Sequence, residues 1–209
     1  MSELTLGRLG PLPGRLLRLY TGLALYGAGI GFQVESNLGN SPWDVLHEGL
    51  SLRTGWSIGM WVIVGGALVM LLWIPLRQRP GLGTISNVFC VGLFADLTLW
   101  LTPTPDDLAV RTGYLVLAIL ITAVATGLYI GAGFGAGPRD GLMTGLAARG
   151  LSIRLSRTLV EMTVLAAGWL LGGTAGVGTL LFAFTIGPLA QVCIRLLAVR
   201  KPQSEGGAV

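Results

Sequence analysis

Charge is scarce in this sequence. Of its 209 residues only 11 % are Asp, Glu, Lys or Arg, less than half the share of an ordinary soluble domain. That deficit excludes a water-facing surface over most of the chain. Histidine and cysteine are rarer still, with one His and two Cys. Cys90 and Cys193 stand far apart inside apolar runs, so neither a disulfide framework nor a thiolate metal site is supported. The lone His47 has no partners at metal-ligand spacing, and no H-E-x-x-H or G-x-S-x-G motif occurs. The sequence therefore points to no enzyme, no metal and no cofactor. A basic surface interleaved with aromatics is also missing, which removes nucleic acid as a partner.

What is present is apolar surface and glycine: 52 % hydrophobic residues and 33 Gly. Ile58–Leu76 runs nineteen residues without a charge, close to the roughly 20 that cross a bilayer as helix. Thr112–Gly135 is a second uncharged run. The pattern predicts an all-α integral membrane protein, one domain over residues 1–209, in contact with the lipid bilayer. Six spans are expected, at Leu16–Val34, Ile58–Leu76, Thr84–Leu101, Thr112–Gly135, Thr158–Gly172 and Gly178–Leu197. The segments after Pro42 and Pro138 hold about ten helical residues each, about 15 Å, too short to cross. They read as broken or re-entrant pieces. Arg15 and Arg18 before the first apolar run imitate a signal peptide, but no small-residue cleavage pattern follows, so that run is expected to belong to the fold. The tails, Met1–Gly14 and Lys201–Val209, are expected to be loosely ordered.

The chain also repeats itself at an offset of about 95 residues. Gly39-Asn40-Ser41-Pro42-Trp43-Asp44 is echoed by Gly135-Ala136-Gly137-Pro138-Arg139-Asp140, and Gly81-Leu82-Gly83-Thr84 by Gly176-Val177-Gly178-Thr179. Gly92 and Ala95 find counterparts in Gly187 and Ala190, and Gly31 in Gly127. Repeat one covers about 16–101 and repeat two about 112–197. Each holds three spans, an odd number, so the second copy is expected to enter the membrane inverted, as in many secondary transporters. Six alternating spans also sort the basic residues. Arg8, Arg15, Arg18, Arg77, Arg79, Arg139, Arg149, Arg154, Arg157, Arg195, Arg200 and Lys201 fall on one side, and only Arg53 and Arg111 on the other. Positive charge marks the cytoplasmic face, which predicts an inner-membrane protein with both termini in the cytoplasm.

Gly-x-x-Pro-x-Asp reads as a chain break followed by a helix start. Gly39 and Gly135 permit the turn and serve as hinges. Pro42 and Pro138 suit the first helical turn, where no donor is lost. Ser41 and Gly137 then sit at the N-cap, and Asp44 and Asp140 meet the positive end of the helix dipole. Capping alone accounts for much of the motif. A functional role arises if both breaks face one cavity, since irregular backbone at membrane depth survives only where protein covers it or water reaches it. Trp43, Asp44, Arg139 and Asp140 are then the candidate solute-binding residues. Asp96, near the centre of a span, needs a partner or a cavity, and its counterpart Gln191 is polar at matching depth; both join the candidates. Asn87 lies nine residues before Asp96, on the opposite side of the helix, and is expected to bridge helices. Glu161 follows Arg157 at ion-pair spacing. Gly81, Gly83, Gly176 and Gly178 are expected to allow close approach of backbones.

The stretch Gly135-Ala136-Gly137-Pro138-Arg139-Asp140-Gly141-Leu142-Met143, with Ser41-Pro42-Trp43-Asp44, resembles the YczE/YitT group of bacterial membrane proteins, and its YczE branch most. The resemblance runs from about Leu16 to Leu197 and implies a multi-helix bacterial inner-membrane protein without assigning a substrate. Two functions follow as expectations. One is a small secondary transporter or permease for a small polar or charged solute. The other is a non-transporting membrane scaffold or regulator that docks cytoplasmic enzymes on the basic stretch Arg139–Arg157. Six spans are few for a transporter, which suggests a homodimer.

Overall fold

The structure is a computed structural model that describes residues 11–197. The expectations for the far ends of the tails, and the topological assignments of Arg8, Arg200 and Lys201, lie outside the described residues. Among the described residues there are eight α-helices and no strand: α1 (Leu12–Ser36), α2 (Pro42–Thr54), α3 (Ile58–Leu76), α4 (Leu82–Leu101), α5 (Leu108–Gly131), α6 (Pro138–Ala147), α7 (Ile153–Leu170) and α8 (Val177–Leu197). Leu12–Gly14, expected in a loose tail, form the first turn of α1, where Pro13 sits near the start without losing a needed donor. The fourth expected span stops at Gly131 because the chain turns at Gly133 and Gly135, whose φ of 74° and 112° only glycine adopts freely. The fifth begins earlier than expected, at Ile153, because Ser152 caps it there by accepting the Leu155 N–H.

Four helices, α3, α4, α5 and α8, are long and apolar enough to cross a membrane. α1 and α7 have the length, at 25 and 18 residues, but α7 carries Arg154, Arg157 and Glu161 and α1 is diluted by glycine and by Arg15, Arg18 and Glu35. The protein is an integral membrane protein of these apolar helices. Threonines of the long helices, such as Thr98, Thr163 and Thr185, donate their hydroxyls to the carbonyl one turn back, so these hydroxyls present no free donor to hydrocarbon.

Lipid offers no hydrophobic drive for helix association, so close packing of small residues holds such a bundle together. The centre is the crossing of α1 on α5, with α4 packed on α1 and α8 on α5. A Cβ added at Gly22 would fall 2.8 Å from the Tyr129 backbone nitrogen, and one at Gly29 would fall 2.3 Å from Thr122 Oγ1. Gly31 abuts Thr98 of α4, and Gly127 abuts Cys193 of α8 in the matching place. Both cysteine thiols are free.

The loops recur in the same way. Gly83 N–H donates to Phe134 O (2.9 Å), and Gly178 N–H donates to Leu38 O (2.8 Å). The four glycines of the repeated Gly-x-Gly-Thr stretches thus let each helix start lie directly on the loop of the other half. Two arginines close the ends. Arg15 Nε donates to Ala132 O (3.0 Å) and its guanidinium lies 4.4 Å from the Phe134 ring centre. Arg111, which the charge pattern assigned only to topology, donates from Nε to Ser36 O (2.8 Å) and also to Asn37 O. Each covers carbonyls that the end of a helix leaves unpaired.

Candidate functional site

The two short helices start toward one cavity of about 260 Å³. Every one of the eight helices contributes to its wall, among them Tyr26 of α1, Asn87 of α4, Tyr129 of α5 and Gln191 of α8. Trp43 and Pro42 enter from α2, and Arg139 and Asp140 from α6. The sequence explains why the starts hold. Gly39 takes φ 121° and Gly135 φ 112°, and Pro42 and Pro138 open the helices. Trp73 of α3 pins the second start by donating Nε1–H to Pro138 O at 3.0 Å.

The two motif carboxylates differ in surroundings. Asp44 is 3 % exposed and lies behind the cavity wall. Its Oδ2 accepts from Ser41 Oγ (2.5 Å), its Oδ1 lies 3.3 Å from His47 Nδ1, and Arg139 Nη2 stands 3.6 Å from the same Oδ1. The Arg139 guanidinium also covers the Trp43 ring at 5.0 Å. So the second motif reaches into the first and neutralises its buried charge. Asp140, in contrast, lines the cavity and accepts one hydrogen bond, from Tyr129 OH at 2.8 Å. Trp43 is 8 % exposed and its Nε1 has no partner among the described residues.

The candidates from the sequence therefore divide. Trp43, Arg139, Asp140 and Gln191 come together on the cavity wall, with Asp44 one layer behind. Asp96 is elsewhere. Its Oδ1 accepts the Gly59 N–H (2.7 Å) and its Oδ2 the Ser57 hydroxyl (2.5 Å), so it satisfies the start of α3 and holds α3 to α4. Asn87, expected between helices, is the polar residue that α4 places on the cavity wall, beside Val88 and Val91. The opposite-side geometry of these two residues is legible in the sequence; which side faces the cavity is not. Arg157 and Glu161 form the expected pair at 2.8 Å, and both also border the cavity. Tyr26 and Tyr129 are cavity residues that the sequence reading misses. A signal existed for Tyr129, since it stands 96 residues after Gln33, a fully buried polar residue that donates to Gly39 O (3.2 Å) beside the first break.

Chemically, the wall offers guanidinium, carboxylate, phenol and amide groups around a small space, with two helix starts whose first turns leave backbone N–H groups outside the helical ladder. Among the described residues no three His, Cys, Asp or Glu side chains converge to hold a metal ion.

The sequence matches a family of unknown function, DUF6198, over residues 14–195. It is 40 % identical over 177 residues to an uncharacterized protein of Haemophilus influenzae, covering 84 % of this chain and 81 % of that one. It is 33 % identical over 174 residues to the uncharacterized membrane protein YczE of Bacillus subtilis, covering 80 % of each. It is 31 % identical over 178 residues to YyaS of the same organism, covering 82 % of this chain and 88 % of that one. No solved structure matches. With its helical membrane fold and these relatives, the chain belongs to the DUF6198 family and is related to the membrane protein YczE.

Proposed function

We propose that this protein is a small secondary transporter or permease for a small polar or charged solute. In this reading six helices cross the inner membrane as two inverted units, α1 with α3 and α4, and α5 with α7 and α8. The short helices α2 and α6 dip in from opposite faces, and the basic ends place both termini in the cytoplasm. The observation that carries the proposal is the convergence of two helix starts, about 95 residues apart in sequence, on one cavity walled by both halves. Broken helices at a repeat interface are where transporters of this architecture bind solute. Asp140, Arg139, Trp43 and Gln191 would contact the solute, Asp44 would hold Arg139 in place, and Gly39, Pro42, Gly135 and Pro138 would hinge the two gates.

The scaffold reading draws less support from the same geometry. Of the arginines in its docking stretch, Arg139 is turned to Asp44, Arg149 to Pro75 O and Arg157 to Glu161. Two of the four arginines are thus compensated by a carboxylate, and only Arg149 and Arg154 keep their charge for a partner.

The test is thermal stability of purified protein against a panel of small metabolites, ions and short-chain amphiphiles, in the parent, Asp140→Asn and Asp96→Ala. A ligand of the folded state stabilises by about 2.7 kcal/mol at a hundredfold excess over its Kd. The proposal expects a shift that survives Asp96→Ala and vanishes in Asp140→Asn. If no member of the panel shifts a folded parent, or Asp140→Asn leaves every shift intact, the cavity is not a solute site.

A further inference from the structure

The two halves differ at one seam. In the first half α3 and α4 are a packed pair. A Cβ added at Gly59 would fall 2.1 Å from Gly92 O, so the two backbones touch, and Asp96 bonds Ser57 and Gly59 across the junction. In the second half the same positions hold Arg154 for Gly59, Gly187 for Gly92 and Gln191 for Asp96. Arg154 cannot make the close approach. A Cβ added at Gly187 would meet nothing within 4 Å, and α7 and α8 do not form a packed pair. Gln191 is exposed and makes no hydrogen bond among the described residues, yet it lines the cavity.

The cavity therefore lies behind an open seam. One edge is Arg157 and Glu161 of α7, and the other is Phe182, Ile186 and Ala190 of α8. Both helices are otherwise covered with exposed apolar side chains, including Leu159, Met162, Leu180 and Phe184, as suits contact with acyl chains. A solute arriving through this gap comes from hydrocarbon. Of the charged groups on the cavity wall, Arg139 is held by Asp44 behind it and Arg157 by Glu161, which leaves the Asp140 carboxylate without a cationic partner among the described residues. An anionic head would meet that carboxylate uncompensated, whereas a head that carries a cationic group, as a zwitterion does, finds a partner in it.

We infer that the solute is an amphiphile whose head carries a cationic group, which seats that head in the cavity against Asp140 and passes its apolar tail through the α7–α8 seam into the bilayer. This inference rests on the cavity being a solute site.

It is tested with a lysophosphatidylcholine that carries a photoactivatable diazirine on its headgroup, added to the protein in phosphatidylcholine nanodiscs, with adducts mapped by peptide mass spectrometry. The expected result is labelling of Asp140 and Tyr129, groups that a headgroup in the surrounding bilayer does not meet. Gly187→Phe, which fills open space, should reduce those adducts about tenfold, equivalent to about 1.4 kcal/mol of lost binding. Adducts at Trp100 and Trp169, exposed at helix ends, should not change and report that the variant is folded; Ala190→Phe, one turn along, is the second plug. Absence of label at Asp140 and Tyr129 in the parent, or full labelling in both plugged variants, overturns the inference. Should that happen while the soluble panel still yields a ligand lost in Asp140→Asn, the seam falls and the solute site stands.

Discussion

Arg139 of the second motif stands 3.6 Å from Asp44 of the first, over the ring of Trp43 at 5.0 Å. Positions that match in sequence are thus not equivalent in space: one supplies a buried carboxylate and the other the cation that compensates it. Asp44 keeps Ser41 and His47 as further partners, so loss of Arg139 does not strand it alone. Arg139→Gln should destabilise the protein by about 1–3 kcal/mol, because it removes the ion-pair partner of a buried carboxylate. In a double-mutant cycle with Asp44→Asn the two effects should couple by about 0.5–3 kcal/mol. Denaturant titration in mixed micelles reads both, and simple additivity would mean the contact carries no energy.

Asp96 is a second carboxylate within an otherwise apolar helix, with a different task. It satisfies the Gly59 N–H and the Ser57 hydroxyl, so Asp96→Ala leaves the start of α3 short of an acceptor. The expected cost is about 1–3 kcal/mol, with ligand affinity unchanged. A loss of affinity without loss of stability would move Asp96 back to the solute site.

The glycines of the central crossing should tolerate nothing larger. Val at Gly22 would drive a branched side chain into the Tyr129 backbone, and overpacking of this kind costs about 1–3 kcal/mol or more. Val at Gly187, where a Cβ meets nothing within 4 Å, should leave stability unchanged. Comparing the melting temperatures of the two variants checks the packing of α1 on α5 against the openness of the α7–α8 seam.

Arg15 and Arg111 cover the carbonyl ends of α5 and α1 respectively. Each should lose about 1.5–3 kcal/mol on substitution by Gln. They sit toward opposite ends of the bundle and share no partner, so the double variant should lose the sum. An Arg111→Gln protein as stable as the parent would return that residue to a purely topological role.

Much of this architecture can be read along the chain. Ile58–Leu76 is legible to the residue because nineteen uncharged residues end at charged or polar ones and Ser57 stands ready as N-cap. The breaks at Gly39 and Gly135 are legible because glycine and proline act locally, through the torsions of their own residues. The edges of α7 are less so, because Arg154, Arg157 and Glu161 dilute its apolar signal while tertiary contacts with α2 and α6 hold it in place.

By itself, then, the sequence determined a helical membrane protein, the positions of its helices and its two chain breaks, since these follow from composition, run length and single-residue torsions. Only the tertiary structure decided that both breaks meet at one cavity, that Asp140 and Asn87 face it while Asp44 and Asp96 do not, and that one of two matching seams stays open. Those outcomes depend on how each helix is rotated against its neighbours. That rotation is set by a few small residues on several helices at once, Gly22, Gly29, Gly59 and Gly92 among them, and no single stretch of the chain records it.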